Sequence, residues 1–231
     1  MRKCAWLFLS IGLTFSLVGC GDSGSSGGGG SSTATVSGTV YSAVLEGEPT
    51  ELVGATVAVV GGQSTTSVAG GAFSLEAPVG TAMFLTTAPN AWGELLTAEV
   101  PAGGEDMAEA EVIPDALVAE IGTALGEPID PAKGMVNVEF DSEVAMGGES
   151  ANITANYGFS FVFNADGEPE LGRTLIAGGE TFVIFANVDI TADVAPSATG
   201  PNSETCSLAF PSTAFPSQAK VFTVVDVEPC P

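Results

Sequence analysis

The chain has 231 residues, with 28 Asp and Glu against five Lys and Arg, and it contains no histidine. Nucleic acids and anionic lipid headgroups are bound mainly through Lys and Arg, so this excess of acid argues against both as partners. The lack of histidine excludes a Ser-His-Asp triad, a Cys-His pair and an imidazole-ligated zinc site. Hydrophobic residues make up 45% of the chain, which is enough apolar material for a packed core.

Residues 1–19 have the three-part pattern of a secretory signal peptide. Arg2 and Lys3 precede an apolar run from Ala5 to Val18, and the small residue Gly19 follows. The run is too short to cross the ~30 Å hydrocarbon core of a bilayer as a helix. The sequence therefore predicts export and removal of this leader.

The end of the leader, Leu17-Val-Gly-Cys20, resembles the lipobox of bacterial lipoproteins. In that family the cysteine thiol receives a diacylglyceryl group, the chain is cut before it, and the new amino terminus is acylated. The resemblance implies lipidation of Cys20, and two or more acyl chains attach a protein stably to a bilayer. The alternative is an ordinary secretory peptide with a coincidental cysteine.

Residues 20–33 are interpreted as the lipidated cysteine and a Gly/Ser-rich tether that behaves as flexible coil. Gly21, and not Asp, follows the cysteine. In two-membrane bacteria the lipoprotein family uses Asp at that position for inner-membrane retention. The resemblance thus implies a lipid-anchored protein of the outer membrane, facing the periplasm or the cell surface.

A pattern in which successive side chains alternate between two faces begins at Ala34, and it places Val36, Gly38 and Val40 on one face of a predicted strand. Short strands separated by Gly and Pro turn signals continue to Val100, a pattern typical of an antiparallel sandwich. The predicted strands of this half cover residues 34–41, 54–60, 64–68, 72–75, 82–87 and 95–100.

Four motifs in this half resemble the carboxypeptidase regulatory-like domain, a transthyretin-like β-sandwich. They are Val36-Ser-Gly-Thr-Val40, Leu52-Val-Gly-Ala-Thr-Val57, Thr66-Ser-Val-Ala-Gly-Gly-Ala-Phe73 and Pro78-Val-Gly80. The resemblance implies one such sandwich over residues 34–101. The third motif lacks the Asp that usually follows its threonine. These are packing and turn motifs, and they imply no catalysis.

The polar, acidic segment 101–111 is predicted to be a domain boundary. After it, residues 115–125 place four apolar side chains on one helical face and predict a short helix, ending at Asp130-Pro131. Residues 112–231 are interpreted as a second β-rich domain that starts with this helix. The predicted fold is all-β, with one or two antiparallel transthyretin-like or Ig-like sandwiches and one short helix between them.

The predicted strands of the second half cover residues 133–140, 159–163, 181–188, 205–210 and 220–227. Some segments parallel the first half: Lys133–Phe140 parallels the first strand, and Ala177–Phe182 parallels Ala69–Phe73. Gly147–Thr154 likewise parallels Gly54–Val57, with an insertion. The second half is either a divergent repeat of the first or shows chance similarity in a Gly- and Ala-rich chain.

Cysteine usage agrees with export. Cys4 leaves with the leader and Cys20 carries lipid, so Cys206 and Cys230 remain and are predicted to form a disulfide. Two cysteines without histidine make a poor metal site, and no metal or other cofactor is expected.

Two aromatic residues are candidates for ligand contact by stacking on a sugar or a partner protein. Trp92 lies in a predicted loop, Pro89–Gly93, and Phe215 lies in a second predicted loop inside the cysteine pair. Asn164-Ala-Asp-Gly-Glu168 is similar to part of a calcium loop but lacks the distal glutamate at the required spacing, so a solvated β-turn is expected there. With 28 acids, no carboxylate pair stands out as catalytic.

The sequence therefore predicts a membrane-anchored, exported lipoprotein that is a non-catalytic binding or structural module at the bacterial cell envelope. Its expected partners are the lipid bilayer and a polysaccharide or envelope protein. The alternative is a carboxylate-based glycoside hydrolase, or an accessory subunit of a secreted hydrolase. That alternative requires two acids facing into one cleft.

Overall fold

A computed structural model describes residues 32–44, 48–141, 145 and 147–231. The predicted signal peptide, Cys20 and nearly all of the tether lie outside the described residues. The strands and the α-helix of the described part are β1 (Thr33–Ser42), β2 (Thr50–Glu51), β3 (Thr56–Val59), β4 (Ser64–Thr66), β5 (Ala72–Pro78), β6 (Gly80–Thr87), β7 (Ala91–Val100), β8 (Glu105–Pro114), α1 (Asp115–Leu125), β9 (Gly134–Phe140), β10 (Ser150–Asn152), β11 (Phe159–Phe163), β12 (Pro169–Leu171), β13 (Phe182–Val188), β14 (Ser197–Thr199), β15 (Thr205–Cys206) and β16 (Val221–Val227).

The first half is a two-layer sandwich. One layer has β1 at its centre, antiparallel to β5 and parallel to β8, and the other follows the order β4-β3-β6-β7. Alternate side chains of β1 (Ala34 and Val36) are buried against Val57 and Phe73, as the period of two predicts. The all-β sandwich predicted from the sequence is confirmed.

The second half builds its main sheet in the order β12-β11-β13-β9-β16, with a small sheet β10-β14-β15 packed over one face. The helix α1 covers the other face. Its residues Leu117, Val118 and Ile121 are buried against Phe161 and Ile184 of that sheet. Both faces of the main sheet are therefore covered, which explains the nearly continuous burial of β9 and β13.

Strand β16 joins the two halves into one sheet. It is parallel to β9 on one edge and parallel to β7 on the other, where Phe222 is in register with both Met135 and Glu94. Because β7 belongs to the first half and β9 to the second, backbone hydrogen bonds run without a break from one half to the other.

The prediction of a domain boundary at residues 101–111 is wrong. Most of that segment belongs to β8, which pairs in parallel with β1 from Val36↔Glu105 to Ser42↔Val112. The two strands approach closely at Gly38, where a Cβ would lie 1.7 Å from the carbonyl oxygen of Ala108. The acidic residues of segment 101–111 (Glu105, Asp106, Glu109 and Glu111) therefore lie in a strand of the sandwich and not in a linker.

The predicted helix is confirmed with bounds Asp115–Leu125. It ends earlier than Asp130-Pro131, because Gly126 adopts a left-handed conformation with φ of 71° and its N–H bonds back to the carbonyl of Thr123. No helix in the described part of the chain combines the length and apolar character needed to cross a membrane.

The pairing scheme bears on the predicted repeat. In the first half β1 has an antiparallel partner, β5, and a parallel partner, β8; in the second half β9 has β13 and β16 in the same two roles. Phe73 of β5 and Phe182 of β13 both follow a Gly-Gly pair by at most three residues, and both are buried. A divergent repeat would give this arrangement, and the repeat itself stays a prediction.

Cys206 and Cys230 form the predicted disulfide, across a sequence separation of 24 residues. The segment after Cys206 runs back along β16: Leu208 bridges Val227, and the N–H of Glu228 donates to the carbonyl oxygen of Ser207 at 2.9 Å. The predicted strand 205–210 is thus regular only at Thr205–Cys206. The disulfide fixes the end of the strand that joins the two halves.

Replacing both cysteines by serine should lower the free energy of unfolding by about 3 kcal/mol, because the unfolded chain regains the entropy of an open loop. Urea unfolding followed by tryptophan fluorescence measures the loss. Reductant should destabilise the native protein and leave the double variant unchanged. Equal sensitivity of both proteins to reductant would contradict this assignment.

Candidate functional site: a cavity lined by carboxylates

A cavity of about 920 Å³ lies where the two halves meet. Its walls come from both halves: β7 and β8 of the first, β9, β13 and β16 of the second, and the helix α1. Cavities of this size accommodate small organic ligands. The side chains used in the argument below are Glu94, Glu109, Glu111, Val118, Met135, Asn137, Glu139, Phe161, Phe182, Ile184, Phe222, Val224 and Asp226.

The register of β9 and β16 determines how the floor of the cavity is arranged. Side chains two residues apart on a strand share a face, and parallel neighbours in register stand side by side. Met135 is paired with Phe222, Asn137 with Val224, and Glu139 with Asp226. The floor therefore changes from apolar at one end, through an amide, to a pair of acids at the other.

Glu94 of β7 and Glu111 of β8 add two further acids. The Oε2 atom of Glu94 accepts a hydrogen bond of 2.9 Å from the backbone N–H of Glu111. The pKa of Glu94 is nevertheless raised to about 8, mainly by burial; the backbone hydrogen bond from Glu111 opposes the rise, and the charges of Glu111, Glu139 and Asp226 add to it. Burial and the charge of Glu109 raise the pKa of Glu111 to about 7.

The pKa values of the two acids on the floor, Glu139 and Asp226, are also raised. Burial raises the pKa of Glu139 to about 7, with additional contributions from the charges of Asp226, Glu111 and Glu180. Burial and the charge of Glu228 raise the pKa of Asp226 to about 6. Near neutral pH these carboxyls share protons, because low solvent access and mutual repulsion both disfavour full ionisation.

No lysine or arginine of the described residues lines this cavity. The three bases in the described part of the chain are engaged elsewhere. Lys133 pairs with Asp189, and Lys220 pairs with Asp115 at 2.9 Å. Arg173 donates to the Oδ1 atom of Asn152 at 3.2 Å. The described part of the chain thus supplies no cation to balance the acids.

Two hydrogen-bond acceptors in the cavity wall lack a donor. Asn137 is 5% exposed, and its Oδ1 atom has no hydrogen-bond partner in the structure. The Oε2 atom of Glu109, on β8, is likewise buried without a partner. Buried acceptors are normally satisfied, so these two atoms leave room for a donor that the described residues do not provide.

Trp92 and Phe215, the residues predicted to contact a ligand, are both buried. The turn occupies only Pro89 and Asn90, and Trp92 lies in β7, in register with Ile113 of β8 and 2% exposed. Phe215 is also 2% exposed, within the core under the small sheet. The prediction of an exposed stacking surface at these two residues is wrong, because their rings complete the apolar cores.

The segment Asn164–Glu168 forms the predicted β-turn. Its Asn164 Oδ1 atom accepts backbone N–H bonds from Asp166 and Glu168, each at 3.0 Å, and Gly167 has a φ of 75°. The turn connects β11 to β12. Within the described residues, no group of three or more His, Cys, Asp or Glu side chains is placed to hold a metal ion.

Sequence reasoning did not single out the four acids of the cavity. Each sits in a strand with apolar residues close by, as in Val138-Glu139-Phe140 and Val225-Asp226-Val227. In the alternation of side chains along their strands, Glu139 and Asp226 also fall on the same face as inward-facing residues of the same strand. An acidic residue at a strand position that alternation predicts to face inward is the sequence feature that could have identified these acids.

Comparisons with known proteins leave the family open: no family model matches, and no curated protein matches. Among solved structures, the Bacillus anthracis TIE protein is 12% identical with a TM-score of 0.28, over 85% of this chain and 34% of that one. The shaft pilin spaA from Lactobacillus rhamnosus GG is 12% identical with a TM-score of 0.26, over 86% and 98%.

A Streptococcal ancillary pilin is 11% identical with a TM-score of 0.23, over 87% of this chain and 63% of that one. This chain spans about a third of the length of the TIE protein. At these scores the likeness carries no argument about function. The lipoprotein and carboxypeptidase regulatory-like resemblances stay predictions from the sequence.

The acids of the cavity should make the protein less stable as pH rises. The folded state keeps protons on Glu94 and Glu139 up to about pH 7 to 8, whereas the unfolded state loses them near about pH 4.3. The folded state therefore binds more protons, and the free energy of unfolding falls as pH increases across that window. We expect the thermal midpoint to drop by at least about 5 °C between about pH 5 and about pH 8.5.

Glu94→Gln and Glu139→Gln should each raise the midpoint at the higher pH and change it little at the lower one. Glu120→Gln, at an exposed position of α1, is the matched control for loss of one charge. Salt screens surface repulsion and should not abolish the difference. A midpoint that stays flat or rises with pH in the unmodified protein would refute the assignment.

Proposed function

We propose that this protein is an exported, lipid-anchored binding module of the bacterial cell envelope, and that it takes up its ligand in the cavity between its two halves. The observation that carries the proposal is the cavity itself. It is large enough for a small organic molecule, and it combines an apolar end with a cluster of acids. The polysaccharide contacts predicted at Trp92 and Phe215 are not part of this proposal.

The lining of the cavity favours binding over catalysis. Glu94 is held by the backbone N–H of Glu111, and burial raises the pKa of all four acids. Once ionised, at a pH above these pKa values, the carboxylates form a fixed array of acceptors. The polar part of the lining is dominated by carboxylates, whereas a site for neutral sugars needs several donors as well as acceptors.

The cellular location is proposed from the sequence. A charged and apolar leader, the lipobox ending in Cys20, and the Gly/Ser-rich tether are the supporting features. The tether would allow the folded part, which begins with β1 at Thr33, to stand roughly 20 Å from the membrane. Gly21 favours the outer membrane, with the folded part in the periplasm or at the cell surface.

Cys20→Ser should abolish incorporation of an alkyne-labelled fatty acid and move the protein from the membrane fraction to the soluble fraction after the leader is cut. The reason is that the thiol is the acceptor of the diacylglyceryl group. Cys206→Ser, which removes a cysteine of the disulfide, is the matched control and should keep the label. Labelling that survives Cys20→Ser would reject the anchor.

A carboxylate-based glycoside hydrolase is the second candidate, and one observation favours it. Glu94 and Asp226 line the same cavity, and their pKa values of about 8 and about 6 would leave one protonated and the other ionised near neutral pH. Acid and base roles are divided in this way in known enzymes.

Reducing-end release from a panel of polysaccharides tests this second candidate. As a binding module the protein should release none above a heat-inactivated blank. Turnover that falls at least about 100-fold in both Glu94→Gln and Asp226→Asn, and that persists in Glu120→Gln, would make the protein a hydrolase and overturn the non-catalytic proposal.

A further inference from the structure

We propose that the cavity binds an organic cation: an ammonium group at the end of Glu139 and Asp226, attached to an apolar body that lies against Met135 and Phe222. The inference rests on the proposed function, because it names the ligand class of the same cavity. Three features of the cavity lead to it: its charge, its unpartnered acceptors, and the order of side chains along its floor.

The charge of the cavity is one-sided. Nine acidic side chains line it, and no lysine or arginine of the described residues does. An anionic ligand would meet repulsion on every side, and a neutral one would leave the acids uncompensated. A cation in this enclosed space is attracted by several carboxylates at once. The nine acids are Glu48, Glu94, Glu99, Glu109, Glu111, Glu139, Asp141, Asp226 and Glu228.

The unpartnered groups are acceptors. Asn137 is 5% exposed and lines the cavity, and its Oδ1 atom accepts no hydrogen bond. The buried Oε2 atom of Glu109 likewise has no hydrogen-bond partner. An ammonium group carries three N–H donors and no acceptor, so it is the complement of this set. Asn137 stands next to Glu139 along β9, which places its oxygen beside the acidic end.

The other end of the floor is apolar. Met135 and Phe222 are neighbours in register at that end. Beside the floor, Ile184 of β13 is in register with Asn137 and with Phe161 of β11, and Phe182 is in register with Glu139, so an apolar wall runs along the floor to its acidic end. The rings of Phe161 and Phe163 are stacked edge to face, with centroids 5.7 Å apart, which holds the wall in place. An alkyl or aryl group would be removed from water there, while the ammonium remains among the acids.

A bare metal ion fits this cavity less well. The described residues hold no group of three or more acidic, cysteine or histidine side chains placed to hold an ion. A hydrated ion would also leave the apolar end unused. Calcium is therefore a control in the experiment and not the proposed ligand.

Binding of a cation should be coupled to loss of protons. The titratable groups that line the site are Glu94 of β7, Glu109 and Glu111 of β8, Glu139 of β9, Asp226 of β16, the adjoining Asp141 and Glu228, and Tyr41, Glu48 and Glu99. The charge of Glu180, outside the lining, also acts on Glu139. The carboxyls must ionise to pair with the ammonium, and an alkylammonium keeps its own proton to about pH 10. Affinity should rise about tenfold or more from about pH 5.5 to about pH 8.5.

Isothermal titration calorimetry of the full lipidated chain in a neutral detergent tests the inference, with micelles alone as the blank. The probe is 3-phenylpropylamine, and the neutral comparison is 3-phenylpropan-1-ol. At about pH 8.5 the amine should bind at least about tenfold more tightly than the alcohol, and calcium should not displace it.

The variants Glu139→Gln and Asp226→Asn should each weaken amine binding about tenfold or more and leave binding of the alcohol unchanged. Both remove a buried charge, so both should fold, and far-ultraviolet circular dichroism checks this. Asn137→Leu should weaken the amine as well. Glu120→Gln, exposed on α1, is the matched control and should bind the amine like the native chain.

Three results would overturn the inference. They are equal affinity for amine and alcohol, displacement of the amine by calcium at similar concentration, and amine binding that is absent or insensitive to both floor variants. Binding of the alcohol alone would leave the cavity as a binding site for another ligand class. The membrane-anchoring part of the proposed function is tested separately, by the labelling experiment with Cys20→Ser.

Discussion

Strand β16 is bonded along both of its edges to strands that run in its own direction, β9 on one side and β7 on the other. Parallel strands need neighbours that cover both faces, and here the helix α1 and the small sheet supply that cover for the second half. This pairing joins one sheet of the first half and the main sheet of the second half into a single continuous sheet. It also sets the register in which Glu139 and Asp226 stand side by side.

The same pairing creates an energetic conflict. Acids at inward positions cost free energy unless they are protonated or matched by a cation, and the described part of the chain places none of its three bases in the cavity. The apolar cores on either side follow the usual rules for strand side chains, so the conflict is confined to one place. Local rules are most often broken at functional sites, which is why the cavity is the natural location for a ligand.

Features set by nearby residues could be predicted from the sequence. Leu117, Val118 and Ile121 repeat with the helical period, and the helix is found where they predict it. The disulfide followed from elimination, because Cys206 and Cys230 were the pair left once Cys4 was assigned to the predicted leader and Cys20 to the predicted anchor. The short strands of both halves followed from alternation and turn signals, with errors at the irregular ends.

Features set by distant residues could not be predicted in this way. Strand β8 is rich in acidic residues and therefore resembles a linker in sequence, and its partner β1, which shows that it is a strand, lies far away along the chain. Trp92 stands directly after a real turn, so its burial depends on β8 and not on its neighbours in sequence. The four cavity acids come from four strands, and the parallel pairings of β16 with β7 and β9, together with the antiparallel pairing of β7 with β8, bring them together.

The strand that unites the two halves, β16 at Val221–Val227, follows both of its partner strands in the sequence. Val221 is in register with Gly93 of β7, so this pairing joins residues that lie far apart along the chain. The first sandwich can form from nearer contacts, but its edge at β7 stays unpaired until β16 docks against it. Completion of the cavity is therefore a long-range event of folding, and the cavity exists only in molecules that have finished that step.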